Sequence, residues 1–239
     1  MLSETTKIDT SYDGFFSNDL NLPWLPWVGV NFTNSTTKTI ILGESTYNWD
    51  PDNLDVKKRI ANNNHLRVLH QNHALDTERP SKYVRNIEKA IFQQKHPSRE
   101  NKLKLWNSVV YHNLVLRMMQ TRKDRPTFDD YKEGWEVYLE LMAKLDIDEC
   151  LVYGLEAKKY KALIEVLENK NIDYIYIKLD TKVGRSFPRI IKIKDSSHSI
   201  LFMQHPSAYF SWKKWSKILE DHLTLSKVEI TNRQLTSTN

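Results

Sequence analysis

This chain has one cysteine, Cys150, no uninterrupted apolar stretch of membrane-spanning length, and neither of two glycine-framed loops that mark common hydrolases. A single thiol excludes an intramolecular disulfide and a cysteine-ligated iron–sulfur cluster, each of which needs more than one sulfur. A helix that crosses a bilayer needs about 20 consecutive apolar residues. The amino-terminal Met1-Leu2-Ser3-Glu4-Thr5-Thr6 lacks the basic-then-apolar order of a secretion signal. These absences predict a cytoplasmic protein without a membrane partner. The missing Gly-x-x-x-x-Gly-Lys removes the phosphate-cradling loop, and the missing Gly-x-Ser-x-Gly removes the nucleophile elbow. Phosphate-loop nucleotide hydrolases and ordinary serine hydrolases therefore lack their defining pieces. The sequence has no internal repeat.

What remains is a chain of 239 residues, 40% hydrophobic and 11% aromatic, enough to bury a substantial core as one domain. A single domain over residues 1–239 is predicted, with 1–20 and 228–239 as polar, flexible ends. Lys and Arg number 35 against 30 Asp and Glu, giving a net charge of +5 and an isoelectric point near 9.0. That balance suits a polyanionic partner and equally an ordinary cytosolic surface, so charge alone selects neither.

Leu22-Pro23-Trp24-Leu25-Pro26-Trp27-Val28-Gly29 is punctuated by prolines that forbid a regular helix. It reads as an extended loop whose Trp24 and Trp27 pack in the core rather than line a cleft. Residues 48–107 are mainly helical in pattern. Ser81 caps a helix over 82–94, with Val84, Ile87, Ala90 and Ile91 at helical spacing, and 99–106 forms a shorter one. Thr127 opens a helix with Tyr131, Trp135, Tyr138, Leu139, Met142 and Leu145 on one apolar face, and 157–168 is a further helix. Residues 39–42, 109–111, 149–153, 172–178 and 200–203 read as strands, with 188–194 an antiparallel addition. Alternating strands and helices predict an α/β fold, with a central, mainly parallel, four-stranded sheet and helices on both faces.

Three of these strands finish in polar, chemically capable residues: Gly43-Glu44-Ser45-Thr46-Tyr47, His112-Asn113 and His205-Pro206-Ser207. In open α/β sheets ligands bind outside the carboxyl ends of the strands, so the pattern predicts a cleft there. Together with the apolar run into Gly154-Leu155-Glu156-Ala157, the ordered set resembles the uracil-DNA glycosylase superfamily. The likeness rests on a glycine-led first loop, an asparagine after an apolar strand, a strand running into Gly-x-x-Ala, and His-Pro-Ser before a basic aromatic helix. It spans Ile40 to about Trp215, and the single cysteine disfavours the cluster-bearing branches.

The resemblance implies a three-layer α/β/α domain of the uracil-DNA glycosylase type. Such a domain flips a uracil or modified pyrimidine nucleotide out of DNA and hydrolyses its N-glycosidic bond, leaving an abasic site. By the same likeness His205 donates a hydrogen bond to the departing pyrimidine carbonyl, and Asn113, whose amide both donates and accepts, reads the pyrimidine edge. The first loop departs from the family. Its best-known branch reads Gly-Gln-Asp-Pro-Tyr and uses the aspartate to position or activate water, whereas Ser45 stands at that place here. Glu44 is the nearest replacement, with Asp50 and Asp52 as lesser candidates; an ionised carboxylate would also stabilise positive charge on the sugar. Gly43 leads the loop, and Tyr47 aligns with the tyrosine that packs beside the base and excludes thymine. Tyr209 occupies the place of the apolar wedge that fills the gap left by the extruded nucleotide, with Phe210 as runner-up. Ser207 and Lys213 stand where phosphates are held, while Trp212 and Trp215 read as core.

His112 points away from Asn113 if the strand pleat persists and reads as a supporting or surface group. His65, His70 and His73 resemble a metal cluster only in number, since no nearby cysteine or carboxylate pair completes a site. Neither metal nor cofactor is predicted. Lys57-Lys58-Arg59 and Arg117, Arg122, Lys123 and Arg125 read as solvated surface. No lysine is placed as a Schiff-base nucleophile, so the expected enzyme is monofunctional. It is read as a monomer acting on single- or double-stranded DNA, in base-excision repair or in defence against phage DNA with modified cytosines. Two rivals stand beside it: a non-catalytic DNA-binding protein that keeps the fold, and an enzyme acting on free nucleosides.

Overall fold

The computed structural model describes residues 8–48, 50–76, 81–121, 123–207 and 209–226. Its strands are β1 (Trp27–Val28), β2 (Thr39–Gly43), β3 (Thr46–Tyr47), β4 (Val109–Asn113), β5 (Met118–Met119), β6 (Glu149–Tyr153), β7 (Tyr174–Lys178), β8 (Arg189–Ile193) and β9 (Ser199–Met203). The α-helices are α1 (Leu54–Ile60), α2 (His65–Ala74), α3 (Lys82–Phe92), α4 (Arg99–Trp106), α5 (Phe128–Leu145), α6 (Ala157–Asn169) and α7 (Trp212–His222). The protein is α/β, with a mostly parallel central sheet and helices packed against it.

Among the described residues that sheet has seven strands, in the order β1-β4-β2-β6-β9-β8-β7, rather than the four expected. The parallel strands β4-β2-β6-β9 form its centre. The additions lie at the two edges. Trp27 and Val28, expected as loop, pair antiparallel with Tyr111 and Val110, and the β7–β8 pair extends the far side antiparallel to β9. β3 and β5 form a separate two-stranded sheet.

The central strands are buried on both faces, which is why they read as continuous apolar runs instead of alternating ones. Ile40, Leu42, Val110, Val152 and Phe202 pack with Trp135 of α5 and Leu163 of α6. Ile41, Tyr111, Leu151, Tyr153 and Leu201 pack with Ile87 of α3 and Trp215 of α7. Trp24 and Trp27 are buried as expected, their indole N–H groups donating to the Ile60 and Trp106 carbonyls. Thr127 and Asp130 form a reciprocal capping box at the start of α5, an arrangement that contributes on the order of 1 kcal/mol. Ser81 takes the cap position of α3 without making a side-chain bond.

The amino-terminal expectation needs correction. Residues 8–20 are packed, not loose: Phe16 is fully buried, and Asp13 accepts both prongs of the Arg67 guanidinium. Arg67 is itself buried on α2, so it requires a counter-charge, and the amino-terminal segment supplies one. Residues 1–7 and 228–239 lie outside the described residues. Among the described residues no helix is long and apolar enough to cross a membrane.

Strand register prepares the site. Gly43 lies opposite Asn113 and Tyr153 opposite Met203, so the loops after β2, β4, β6 and β9 leave one edge of the sheet together. From β2 the chain crosses to β4 on one side, whereas β6 on its other flank leads on to β9. The direction of winding reverses between β2 and β6, and a crevice opens at such a reversal.

Candidate functional site

A cleft of 1140 Å³ lies at this edge. Seven residues singled out in the sequence line it: Gly43, Glu44, Ser45, Tyr47, Asn113, His205 and Ser207. Tyr209, Phe210 and Lys213 do not, and neither do Asp50 and Asp52.

Asn113 ends β4 with its side chain buried at the cleft wall. Its Nδ2 donates to Thr46 Oγ1 at 3.1 Å, and its Oδ1 accepts from the Tyr111 hydroxyl at 3.4 Å. One N–H and one oxygen lone pair are left for a ligand. Both partners are hydroxyls, which can exchange donor and acceptor roles, so either orientation of the amide is satisfied. Gly43 makes the arrangement possible, because a β-carbon there would run into Asn113 Oδ1 and the Tyr111 hydroxyl.

His205 enters from the far side of the parallel core, two residues beyond β9. The Ser207 backbone N–H donates to its Nδ1 at 3.2 Å. A backbone N–H can only donate, so Nδ1 carries no proton and the neutral ring presents Nε2–H. Burial lowers its proton affinity, with the Lys159 charge acting in the same direction; the Glu44 and Glu156 charges only partly offset this. Tyr83 and Tyr153 meet the ring in edge contacts. The loop itself is pinned to α3 by Asn86 Nδ2 donating to the Pro206 carbonyl at 2.6 Å.

Glu44, which directly follows β2, lines the same cleft. Its Oε1 accepts from Lys159 Nζ at 2.9 Å and from the Tyr131 hydroxyl at 3.2 Å. Burial by itself would raise its carboxyl, but the Lys159 ammonium and its hydrogen bond, then His205 and Tyr131, outweigh that and hold it below the ordinary glutamate value. It is therefore an anion at neutral pH. Ser45 Oγ is buried without a hydrogen-bond partner, so no neighbouring base activates it. Asp50 accepts from Asn53 Nδ2 outside the cleft, which removes it from the list of water activators, and Asp52 is exposed. Glu156, which the sequence reading passed over, lines the cleft and reaches Lys159 Nζ at 3.2 Å.

Two residues past the cleft-lining Ser207, Tyr209 is 97% exposed and has a left-handed φ of 51°. Exposure on that scale leaves its ring out of the core. Phe210 stacks on the fully buried Trp215, ring centroids 6.0 Å apart, so it is scaffold and not a wedge. Ser207 and Lys213 are exposed. Arg125, read from the sequence as solvated surface, and Lys158 also line the cleft and give it cationic groups. Arg117 is exposed, as expected, and makes a two-pronged bond to Asp130, while Arg122 lies outside the described residues.

His112 does point away from the cleft, but it is buried instead of at the surface, its ring nitrogens meeting the Asn113 and Trp24 carbonyls. The three histidines of α2 part company. His65 packs near Trp24, His70 stacks on Tyr111 at 4.2 Å, and His73 Nδ1 meets the Tyr83 hydroxyl at 3.1 Å. Among the described residues no group of three His, Cys, Asp or Glu is arranged to hold a metal ion. No protein-family model matches the chain, and a search of curated proteins gives no match.

Proposed function

We propose that this protein is a monofunctional DNA glycosylase with a three-layer domain similar to that of the uracil-DNA glycosylase superfamily, acting on uracil or a modified pyrimidine. The observation that carries the reading is the convergence of Asn113, Glu44 and His205, from three separate strand ends, on one cleft. An exposed Tyr209, two residues along the chain from the cleft-lining Ser207, supports extrusion of a nucleotide, since an aromatic side chain can fill the gap a flipped base leaves.

In this reading the flipped base enters with its edge against Asn113. The amide between two hydroxyls suits either a uracil-type edge, which offers N3–H and a carbonyl, or a cytosine-type edge, which offers a bare N3 and an amine. As the bond from the sugar's anomeric carbon to N1 lengthens, negative charge grows on the base and positive charge on the sugar. His205 Nε2–H meets the first and the Glu44 carboxylate the second. Water adds its oxygen to the anomeric carbon, its proton passes to Glu44 and then to solvent, and the base leaves with its bonding electron pair. Lys158, which lines the cleft, and the exposed Lys213 are cations that would meet the phosphate backbone.

The test is mass spectrometry of bases released from labelled DNA carrying uracil, hydroxymethylcytosine or glucosylated cytosine, followed by alkaline cleavage at abasic sites. Release of one of these bases with alkali-labile product is expected. Salt-dependent binding with no base released from any substrate would favour a non-catalytic DNA-binding protein, the rival motivated by Ser45 at the water-activating place.

A further inference from the structure

Among the described residues Lys159 is the one lysine with a fully buried side chain. An ammonium taken out of water is retained only where its partners compensate. It donates to Glu44 Oε1 at 2.9 Å and to the Tyr153 carbonyl at 2.5 Å, and it pairs ionically with Glu156 Oε2 at 3.2 Å. It does not line the cleft, so it touches no substrate. Both bonds that Glu44 accepts from described side chains fall on the same oxygen, Oε1, leaving Oε2 for the cleft.

We propose that Lys159 is a positioning residue for Glu44: it grips one carboxylate oxygen from beneath the cleft so that the other stays turned toward water and the sugar. The inference rests on the glycosylase reading for what Glu44 does, and on geometry for how Glu44 is held. The local chain is shaped for this bridge. Gly154, with φ of 99°, leaves the space, because a β-carbon there would run into both Lys159 Nζ and Glu156 Oε2. Trp135 Nε1 donates to the Lys159 carbonyl at 2.8 Å and fixes the start of α6 against α5. The Gly-x-x-Ala signature thus acquires a physical reason that belongs to the lysine two residues past its alanine.

Glu44 is faced by Lys159 and Glu156 from the α6 side, Tyr131 from α5, His205 from the loop after β9, and Tyr47 and Tyr153 across the cleft wall. Of these only Lys159 is a permanent cation in contact with it. Without Lys159, the burial that raises the Glu44 carboxyl would lose its largest counterweight.

The decisive measurement is a carbon-13 NMR titration of the glutamate carboxyls in substrate-free protein, with the Glu44 signal identified by its loss in Glu44→Gln. In the wild type Glu44 titrates below the ordinary glutamate value. In Lys159→Met its midpoint rises by about one pH unit or more, and the acid limb of the kcat–pH profile moves with it while KM holds. Lys159→Met added to Glu44→Gln lowers kcat no further, as required of a residue that acts through Glu44. A wild-type midpoint at or above the ordinary value overturns the proposal without any variant, even if Lys159→Met fails to fold. An unmoved midpoint or an additive double variant overturns it equally. A wild type that releases no base, with a midpoint that still moves on Lys159→Met, overturns the glycosylase reading and leaves the Lys159–Glu44 coupling standing.

Discussion

The two ends of the parallel strands treat their polar groups in opposite ways. At the amino end most bonds are closed, the buried Asn107 Oδ1 just before β4 being the exception. Glu149 accepts from Thr39 Oγ1 and from the Thr224 and Leu225 backbone N–H groups, and both ring nitrogens of His198 are engaged, by the Tyr138 hydroxyl and the Ile147 carbonyl. At the carboxyl end they are left open. The buried Ser45 Oγ, Tyr153 hydroxyl and both His70 nitrogens have no partner, Asn113 keeps half its capacity, and His205 Nε2–H faces the cleft. Buried polar groups are normally satisfied, so a cluster of unsatisfied ones marks where a ligand completes the structure. One end holds the sheet together, and the other holds valences for something else.

The comparison breaks first at the open end. His205→Ala and Asn113→Ala should each lower turnover by about 100- to 1000-fold, the loss typical when a positioned hydrogen-bond donor is removed from a developing charge. Both variants should stay folded, His205→Ala near the wild-type midpoint and Asn113→Ala at a cost of about 1–3 kcal/mol for the bonds it strips from Thr46 Oγ1 and the Tyr111 hydroxyl. A variant that turns over normally, or that loses its fold together with its activity, would erase the distinction between the two ends. Glu149→Ala is the converse experiment. It strips the acceptor from one hydroxyl and two backbone groups, a loss of about 2–4 kcal/mol by the cost of unsatisfied donors. Chemical denaturation reads that loss, and kcat should be unchanged.

How much of this was legible depended on whether a residue's role was set by its neighbours in sequence or by a distant helix. Glu44, Asn113 and His205 were readable because each directly follows or ends an apolar strand, and parallel strands deliver their carboxyl ends to one edge. The parallel core was readable for the same reason, since strands buried on both faces leave unbroken apolar runs. Trp27 and Val28 were not, because a two-residue edge strand carries no periodicity and its prolines argue for loop. Lys159 was hidden for a different reason. It lies among Lys158 and Lys161 and reads as solvated helix surface; only packing of α6 against α5 turns it inward. The glycine five residues before it was the single available signal, and it was read as family likeness rather than as space for an ammonium. Tyr131 was seen as part of an apolar stripe, which is correct for its ring and silent about its hydroxyl.

Two buried histidines sharpen the contrast between the ends under acid. Burial pushes the proton affinity of His70 down to about 3 with no hydrogen bond to compensate, whereas at His198 burial also dominates but the Ile147 carbonyl and the Asp148 carboxylate push back. Folded His70 takes a proton only near pH 3, while the unfolded side chain takes one near 6.5. Below 6.5 the unfolded chain therefore binds more protons, and stability falls as pH falls, by up to about 1.4 kcal/mol per pH unit. Between pH 6.5 and 4.5 His70 should account for about 2.3 kcal/mol of lost stability. His70→Phe, which keeps a flat ring against Tyr111, should remove that share. Unfolding free energies at the two pH values would show it, and an equally steep loss in His70→Phe would move the acid sensitivity elsewhere.

The smallest effect separates the ends by charge. Lys158 lies at the cleft, whereas Lys144 sits at the carboxyl end of α5, just before β6 and hence at the opposite edge of the sheet, with its ammonium over the Phe15 ring. Each phosphate neutralised by a cation releases bound counterions, so removing one such contact flattens the slope of log affinity against log salt by about 0.9. Lys158→Gln should flatten the slope for DNA by that amount, and Lys144→Gln should leave it unchanged. Both substitutions remove the same charge from the whole molecule, so net charge cannot account for a difference between them. If the two variants change the slope alike, DNA is responding to the overall +5 of the chain and not to the edge where the open hydrogen bonds lie.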